Sequence, residues 1–176
     1  MNKSWNVLSW NIIGINSDKK LLALRNATDS SGCAIICIHG TKRESFYLAF
    51  AKTFCPKRFD KFVFAPSSGA SGGIITIWNS SIFTGSPWYV SPFSIGISFV
   101  STQSAVTWNL VNVYGPCAGQ KRINFTSWLF DLHIPDDETW LLLGDFNFIR
   151  STTNRNKPGG TPMICFCSMK SFELNR

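Results

Sequence analysis

The chain has 176 residues, a length that suits one domain with a hydrophobic core of its own. Its 17 Lys and Arg residues outnumber 10 Asp and Glu residues, which gives a formal net charge of +7. A basic balance favours acidic partners, with nucleic acid first and an anionic membrane surface second. A membrane span needs roughly 18 apolar residues in a row, and the sequence contains no such run, so no membrane partner is expected.

The six cysteines show neither Cys-x-x-Cys spacing nor a neighbouring His tract, which disfavours a zinc site. Asn6, Ser9 and Asn11 interrupt the N-terminal segment, so a signal peptide is not indicated. Reduced thiols in an intracellular protein, nuclear or cytoplasmic, are therefore expected.

Strands and helices alternate in the predicted N-terminal part. Strands are expected at 4–12, 34–38 and 61–65, and helices at 17–28 and 45–54. A long span from Phe62 to Gln120 then contains no Asp, Glu, Lys or Arg and is rich in Ile, Val, Phe and Trp. Such a span favours strands packed into a sheet sandwich.

Within this span, residues 66–73 form a glycine-rich segment that is predicted to be a loop. A phosphate-binding P-loop would need Gly-Lys-Ser/Thr followed by a helix, whereas an apolar strand follows here. Further strands are predicted at 74–78, 82–90, 94–102 and 106–114, followed by a helix at 122–132.

The apolar run at 139–143, closed by Gly144, predicts a buried central strand. Asp145 and Asn147 follow it two residues apart. If the extended conformation continues, both side chains leave the backbone on the same side and together reach the end of a sheet. In the alternative interpretation, Asp145 simply starts a turn.

Polar residues also end other predicted strands. Asn11 ends the first strand, His39 and Gly40 follow the second, and Tyr114 ends the strand at 106–114. Each signal is weak by itself, because Asn favours turns and a strand-terminal Tyr is usually a half-buried aromatic. Polar groups at strand ends are nevertheless where α/β folds often place their chemistry.

Three segments resemble, in this order, motifs of the endonuclease/exonuclease/phosphatase superfamily: Ser9-Trp10-Asn11, Val113-Tyr114-Gly115-Pro116 and Leu143-Gly144-Asp145-Phe146-Asn147. The segments at 69–73, 78–80, 111–117 and 154–160 resemble more narrowly the endonuclease domain of plant LINE-type retrotransposons. The resemblance covers about residues 4 to 160. The domain is therefore expected over residues 1–160, with a divergent tail at 161–176.

The resemblance implies an α/β (α+β) fold: a four-layer sandwich of two mixed β-sheets with outer helices. It also implies Mg²⁺-dependent cleavage of a DNA phosphodiester by an activated water. Asp145 would orient or deprotonate that water, Asn147 and Asn11 would hold the scissile phosphate, and Tyr114 would hydrogen-bond it. A phosphate diester requires such an in-line water and neutralisation of charge.

The sequence departs from the superfamily pattern in three places. Gly40 stands where the family has its metal-binding Glu, and Ile13 stands where Arg is usual. The third departure is a C-terminal Ser-Asp-His segment that this sequence does not reach, so a truncated and catalytically impaired domain is expected. His39 is expected to be a surface residue that faces away from the site, and no metal ligand is assigned.

Two further interpretations stay open. The chain is either a non-catalytic, basic nucleic-acid-binding remnant or the inert product of a degenerate gene. The first rests on the net charge and on Arg150, Arg155 and Lys157, which lie in a segment rich in Ser, Thr, Asn and Gly. Such a segment predicts an exposed basic loop that contacts DNA, or one that is merely solvated.

Overall fold

The structure, a computed structural model, describes residues 5–69, 71–117 and 119–148. Strands and helices follow one another in this order: β1 (Asn6–Asn11), α1 (Asp18–Ser31), β2 (Cys33–His39), α2 (Leu48–Ala51), β3 (Lys61–Ser68), β4 (Ser71–Trp78), β5 (Phe83–Val90), β6 (Ser94–Ser101), β7 (Thr107–Tyr114), α3 (Gln120–Asp131) and β8 (Trp140–Asp145). The uncharged span supplies most of β3 and all of β4 to β7, as its composition predicted.

The strands form two four-stranded sheets. Sheet A has the order β1-β2-β4-β3, and sheet B has the order β5-β6-β7-β8. In sheet A, β1 pairs parallel to β2 and the other pairs are antiparallel. In sheet B, β7 pairs parallel to β8 and the other pairs are antiparallel. Both sheets are mixed, as predicted.

The two sheets pack face to face, and helices cover their outer faces. Alternation along β2 sends Ile35 into the layer between the sheets and Ile36 to the opposite face. Ile36 belongs to the same outer cluster as Leu24 of α1. On the far side of sheet B, Phe125 of α3 packs with Val111. The predicted sandwich of two sheets with outer helices is confirmed.

The position of β8 in its sheet differs from the prediction. Among the described residues, β8 pairs only with β7 and is the edge strand of sheet B. Leu141 is 37% exposed, so the expectation of a buried central strand is wrong. The apolar strand β2 lies between β1 and β4 and is buried at every residue. Burial therefore depends on the strand's place in the sheet, which an apolar run does not specify.

Two local predictions were also inaccurate. The glycine-rich segment is mostly strand, because Ser67 pairs with Gly72 and Ser68 with Ser71 in a continuation of the β3-β4 hairpin. The helix expected at 45–54 is reduced to α2, which has four residues. Ring contacts of Phe46 with the neighbouring phenylalanines hold the remainder of this segment on sheet A.

The described cysteines are free thiols. Cys33, Cys37 and Cys55 are buried and Cys117 is exposed. Across the described ranges, none of the helices is both long and apolar enough to cross a membrane.

Candidate functional site

The carboxyl ends of four strands meet at one edge of the sandwich. Asn11 ends β1, Tyr114 ends β7, Asp145 ends β8, and Gly40 directly follows β2. Parallel pairing places Asn11 beside His39 in sheet A and Tyr114 beside Asp145 in sheet B. A hydrogen bond of 2.5 Å from Asn11 Nδ2 to Asp145 Oδ2 then joins the two sheets. The residues predicted at separate strand ends therefore lie together.

The Asp145 carboxylate is oriented by two neutral donors. Its Oδ2 accepts the hydrogen bond from Asn11, and its Oδ1 accepts one of 3.0 Å from the backbone N–H of Asn147. The side chain is half-buried. Both carboxylate oxygens therefore have fixed directions before any ligand arrives.

Asn147 reaches the site through a turn. It has a left-handed backbone with φ of 51°, so the extended strand ends at Asp145. The backbone N–H of Asn147 binds the side chain of Asp145, as in an Asx-turn. The turn lets Asn147 Nδ2 donate to the Gly115 carbonyl over 2.5 Å. Asp145 thus starts a turn and also belongs to the site, whereas the predicted extended continuation is wrong.

A close approach of two backbones makes glycine necessary at position 144. Gly144 has φ of 140°, and a Cβ placed there would lie 1.9 Å from the Val113 carbonyl oxygen. Just beyond it, the Gly115 backbone N–H donates to the Asp145 carbonyl over 2.8 Å. The end of β8 is therefore held against β7 by main-chain contacts.

Tyr114 is a neutral hydrogen-bond donor in this site. Its side chain is half-buried, and this burial raises the pKa of its phenol, with smaller contributions from Cys117 and Asp145. The hydroxyl therefore keeps its proton at neutral pH and can donate to an anionic oxygen.

Gly40 lies inside the site. A Cβ on this residue would lie 3.0 Å from Asn11 Oδ1 and 3.3 Å from the Tyr114 hydroxyl. A side chain at position 40 would therefore enter the space between these two groups. Glycine supplies nothing there, and the buried Asn11 Oδ1 has no hydrogen-bond partner.

The donor set does not fit Mg²⁺. Mg²⁺ demands near-octahedral oxygen ligands, usually with one or two carboxylates. Asp145 is the one carboxylate among Asn11, Gly40, Tyr114 and Asp145, and both of its oxygens already accept hydrogen bonds. Nowhere in the described part of the chain do three or more His, Cys, Asp or Glu side chains form a potential metal site. The unpaired Asn11 Oδ1 adds one neutral oxygen and no charge.

His39 differs from its expected place. It is only 1% exposed and lies between the sheets, where its ring stacks on Tyr114 with centroids 6.4 Å apart. Burial lowers the pKa of the imidazole, although Asn112, the charge of Asp145 and the Trp10 backbone oppose this. The prediction of a surface residue facing away is therefore wrong. Alternation along β2 places His39 on the same face as Ile35 and Cys37. Both faces of this strand are buried, so the alternation alone does not identify the inward face.

Sequence reasoning also missed Asn112 as a residue next to the site. It is fully buried on β7, two residues before Tyr114, and so shares the inner face of the strand with it. Ile13, the second departure from the superfamily pattern, has φ of 53° and is 64% exposed. Of the predicted basic nucleic-acid-binding residues, Arg150, Arg155 and Lys157 all lie outside the described residues.

Comparison with known proteins shows the fold. No protein-family model and no curated protein matches the chain. Among solved structures, the AP endonuclease LMAP from Leishmania major matches at 16% identity over 88% of this chain and 59% of its own, with a TM-score of 0.65. The APE2 catalytic domain of Xenopus laevis matches at 17% identity over 88% of this chain and 62% of its own, with a TM-score of 0.61.

The endonuclease domain of TRAS1, a telomere-specific non-LTR retrotransposon, matches at 14% identity over 85% of this chain and 62% of its own, with a TM-score of 0.57. The chain thus spans about three fifths of each of these three structures. At such identities the similarity is one of fold, and it agrees with the sandwich of two mixed sheets described above. The chain therefore shares the fold of these three solved structures.

Proposed function

We propose that this chain is an endonuclease-like domain that binds the phosphodiester backbone of DNA and whose hydrolytic activity is impaired. The observation that carries this proposal is the meeting of Asn11, Tyr114, Asp145 and Asn147 at one edge of the sandwich. An AP endonuclease and a retrotransposon endonuclease domain share the fold, which supports the reaction class. A LINE-type retrotransposon origin belongs to the same proposal.

Each residue has a role that its geometry supports. The protonated hydroxyl of Tyr114 donates to a non-bridging phosphate oxygen. Asn11 and Asn147 each donate one side-chain hydrogen bond within the protein. Because a primary amide has two N–H groups, the second N–H of each residue remains for the phosphate. Asp145 accepts a hydrogen bond from a water and orients it towards phosphorus.

The impairment follows from the charges of the site. A phosphodiester is anionic, and attack by water adds negative charge that a catalyst must stabilise. Asp145 brings a further negative charge, and the donors beside it, Asn11 and Tyr114, are neutral. In the family that the sequence resembles, a Glu at the position of Gly40 holds Mg²⁺. Gly40 has no side chain that could serve as this ligand. A bound metal ion would supply several kcal/mol of charge stabilisation to the transition state.

A plasmid-nicking assay tests the proposal. Supercoiled DNA is incubated in Mg²⁺ or Mn²⁺ with the wild-type protein, with Asp145→Ala and with Asp131→Ala, an exposed acidic control at the end of α3. We expect all three proteins to nick at the same background rate. Robust nicking by wild type and Asp131→Ala that vanishes in Asp145→Ala would overturn the impairment and establish Asp145 as catalytic.

The net charge of +7 favours a second candidate function, which is nucleic-acid binding without catalysis. Contacts with phosphates release counterions, so the affinity falls steeply as salt rises. We expect that replacing Arg150, Arg155 and Lys157 together by Gln reduces the slope of log affinity against log salt by up to about three units. Fluorescence anisotropy with a short duplex measures this slope. Absence of DNA affinity at low salt would exclude this function.

A further inference from the structure

A cluster of polar side chains lies in the layer between the sheets, with Tyr114 at the end nearest the site. Its members are Thr76 on β4, Asn112 and Tyr114 on β7, and His39 on β2. Thr76 and Asn112 are fully buried, and His39 is almost so. None of these groups except Tyr114 has a role in the proposed binding of phosphate. Buried polar groups are costly unless they are hydrogen-bonded, so this cluster requires an explanation.

Asn112 has a fixed orientation. Its Nδ2 donates to the Ile75 carbonyl and to Thr76 Oγ1, both over 3.0 Å. Both N–H groups of the amide are therefore used, and the Ile75 carbonyl can only accept, which excludes the flipped amide. Asn112 Oδ1 must point away from β4, and this buried atom has no hydrogen-bond partner.

His39 carries the complementary unpaired atom. Its buried Nε2 has no hydrogen-bond partner, and both Asn112 and the Trp10 backbone raise the pKa of the imidazole. Burial lowers that pKa, so the ring is neutral at pH 7 and has one N–H group. A proton on Nε2 gives Asn112 Oδ1 the donor that it lacks. A proton on Nδ1 instead leaves both buried atoms, His39 Nε2 and Asn112 Oδ1, as acceptors without a donor.

The imidazole also sets the place of Tyr114. The two rings are stacked, with an interplanar angle of 22°. At its other end, the Tyr114 hydroxyl lies 3.3 Å from the position that a Cβ on Gly40 would take. Because Gly40 has no side chain, nothing at that position holds the hydroxyl in place. The imidazole face is therefore a support that persists behind the phenol.

We propose that His39 is a positioning residue for Tyr114: Asn112 holds the imidazole as its Nε2–H tautomer, and the imidazole holds the phenol with its hydroxyl at the Gly40 edge. The use of that hydroxyl on a phosphate rests on the proposed function. The arrangement itself exists in the free protein and is measurable without DNA.

Nitrogen-15 NMR of the imidazoles tests the first half of the proposal. The chain has two histidines, so His133→Gln leaves His39 as the one remaining signal. We expect a neutral Nε2–H tautomer at pH 7. In Asn112→Ala we expect a mixture of tautomers, whereas Asn109→Ala, a control on the same strand, keeps one. A charged ring or an Nδ1–H tautomer at pH 7 in the otherwise wild-type protein would overturn the proposal.

Ultraviolet titration of the phenols tests the second half. The chain has three tyrosines, and Tyr114→Phe identifies the contribution of Tyr114. Removal of the ring in His39→Ala admits water to the phenol, so we expect the pKa of Tyr114 to fall by about half a unit or more. In His39→Phe, which retains an aromatic face, we expect a smaller fall. A purely structural role for His39 would lower the thermal midpoint without moving this titration, and an unmoved titration in folded His39→Ala would overturn the proposal.

DNA binding separates this proposal from the function on which it partly rests. Equal DNA affinities of wild type and Tyr114→Phe would overturn the phosphate role of Tyr114, whereas the NMR and ultraviolet results would still decide the role of His39. If Tyr114→Phe weakens binding, we expect His39→Ala to weaken it in the same direction and His39→Phe to weaken it less. Unchanged binding in His39→Ala would then contradict the positioning role.

Discussion

The two sheets bring different chemistry to the edge that they share. Sheet B supplies Asp145 and Asn147, which backbone contacts and hydrogen bonds hold at the end of β8. Sheet A supplies Asn11, with an unpaired oxygen, and Gly40, with no side chain. Main-chain contacts therefore fix the groups of sheet B, whereas position 40 of sheet A presents backbone without a side chain. Under the proposed function, the fold keeps the shape of the site although position 40 supplies no chemical group.

The largest expected loss of stability is that of Gly144→Ala, and Gly40→Ala is expected to lose less. In Gly144→Ala the new Cβ would overlap the Val113 carbonyl, which is backbone and cannot move aside. We expect a loss of about 3 kcal/mol or more in the free energy of unfolding. Urea unfolding followed by tryptophan fluorescence measures the loss.

Gly40→Ala is the matched variant in sheet A. Its Cβ would meet side chains, with Asn11 Oδ1 the nearest at 3.0 Å, and the backbone has φ of +65°. The left-handed conformation costs a non-glycine residue roughly 1–2 kcal/mol, so we expect a loss of about that size. Equal losses for the two variants would contradict the distinction between a backbone constraint and a side-chain one.

Asp145→Ala is expected to cost about 2 kcal/mol, because it leaves the Asn147 backbone N–H and the Asn11 amide without their acceptor. Asn11→Ala is expected to cost about 1 kcal/mol, since it removes one hydrogen bond together with an oxygen that is already unpaired. Urea unfolding measures both, with Asp131→Ala as an exposed control expected within about 0.5 kcal/mol of wild type. A larger loss in Asn11→Ala than in Asp145→Ala would contradict the expectation that the hydrogen bonds of Asp145 stabilise this edge more than those of Asn11.

The smallest stability effect is the pH dependence due to His39. Its folded-state pKa lies below its ordinary value of 6.5 because the ring is buried. As the pH falls through 6.5, the unfolded chain takes up a proton that the folded protein refuses, so stability decreases. The slope from this residue approaches about 1.4 kcal/mol per pH unit between the two pKa values.

Urea unfolding at several pH values between 5 and 8 measures this slope. His39→Gln should lose it and His133→Gln should keep it, because His133 is exposed. The same slope in His39→Gln as in wild type would show that other groups are responsible.

The sequence was sufficient for the architecture. The polar residues that it predicted at strand ends lie at one edge of the structure, and their roles stay predictions. Alternating apolar strands and the long uncharged span predicted the sandwich, and motif order selected Asn11, Tyr114, Asp145 and Asn147. Lateral order in a sheet is set by pairing between distant segments, which no local pattern records, so the edge position of β8 was missed. The inward direction of His39 was missed because a single strand-end histidine carries no signal until the facing strand β7 is known.

The proposed function makes one central claim: the site is assembled, but position 40 supplies no carboxylate for a metal. Isothermal titration with Mn²⁺ tests it most directly, using wild type, Gly40→Glu and Asp145→Ala. We expect wild type to bind Mn²⁺ no more tightly than Asp145→Ala does. We expect Gly40→Glu, which adds a carboxylate near Asp145, to bind about tenfold more tightly, a gain of ~1.4 kcal/mol. Stoichiometric binding of one Mn²⁺ by wild type that disappears in Asp145→Ala would contradict the claim.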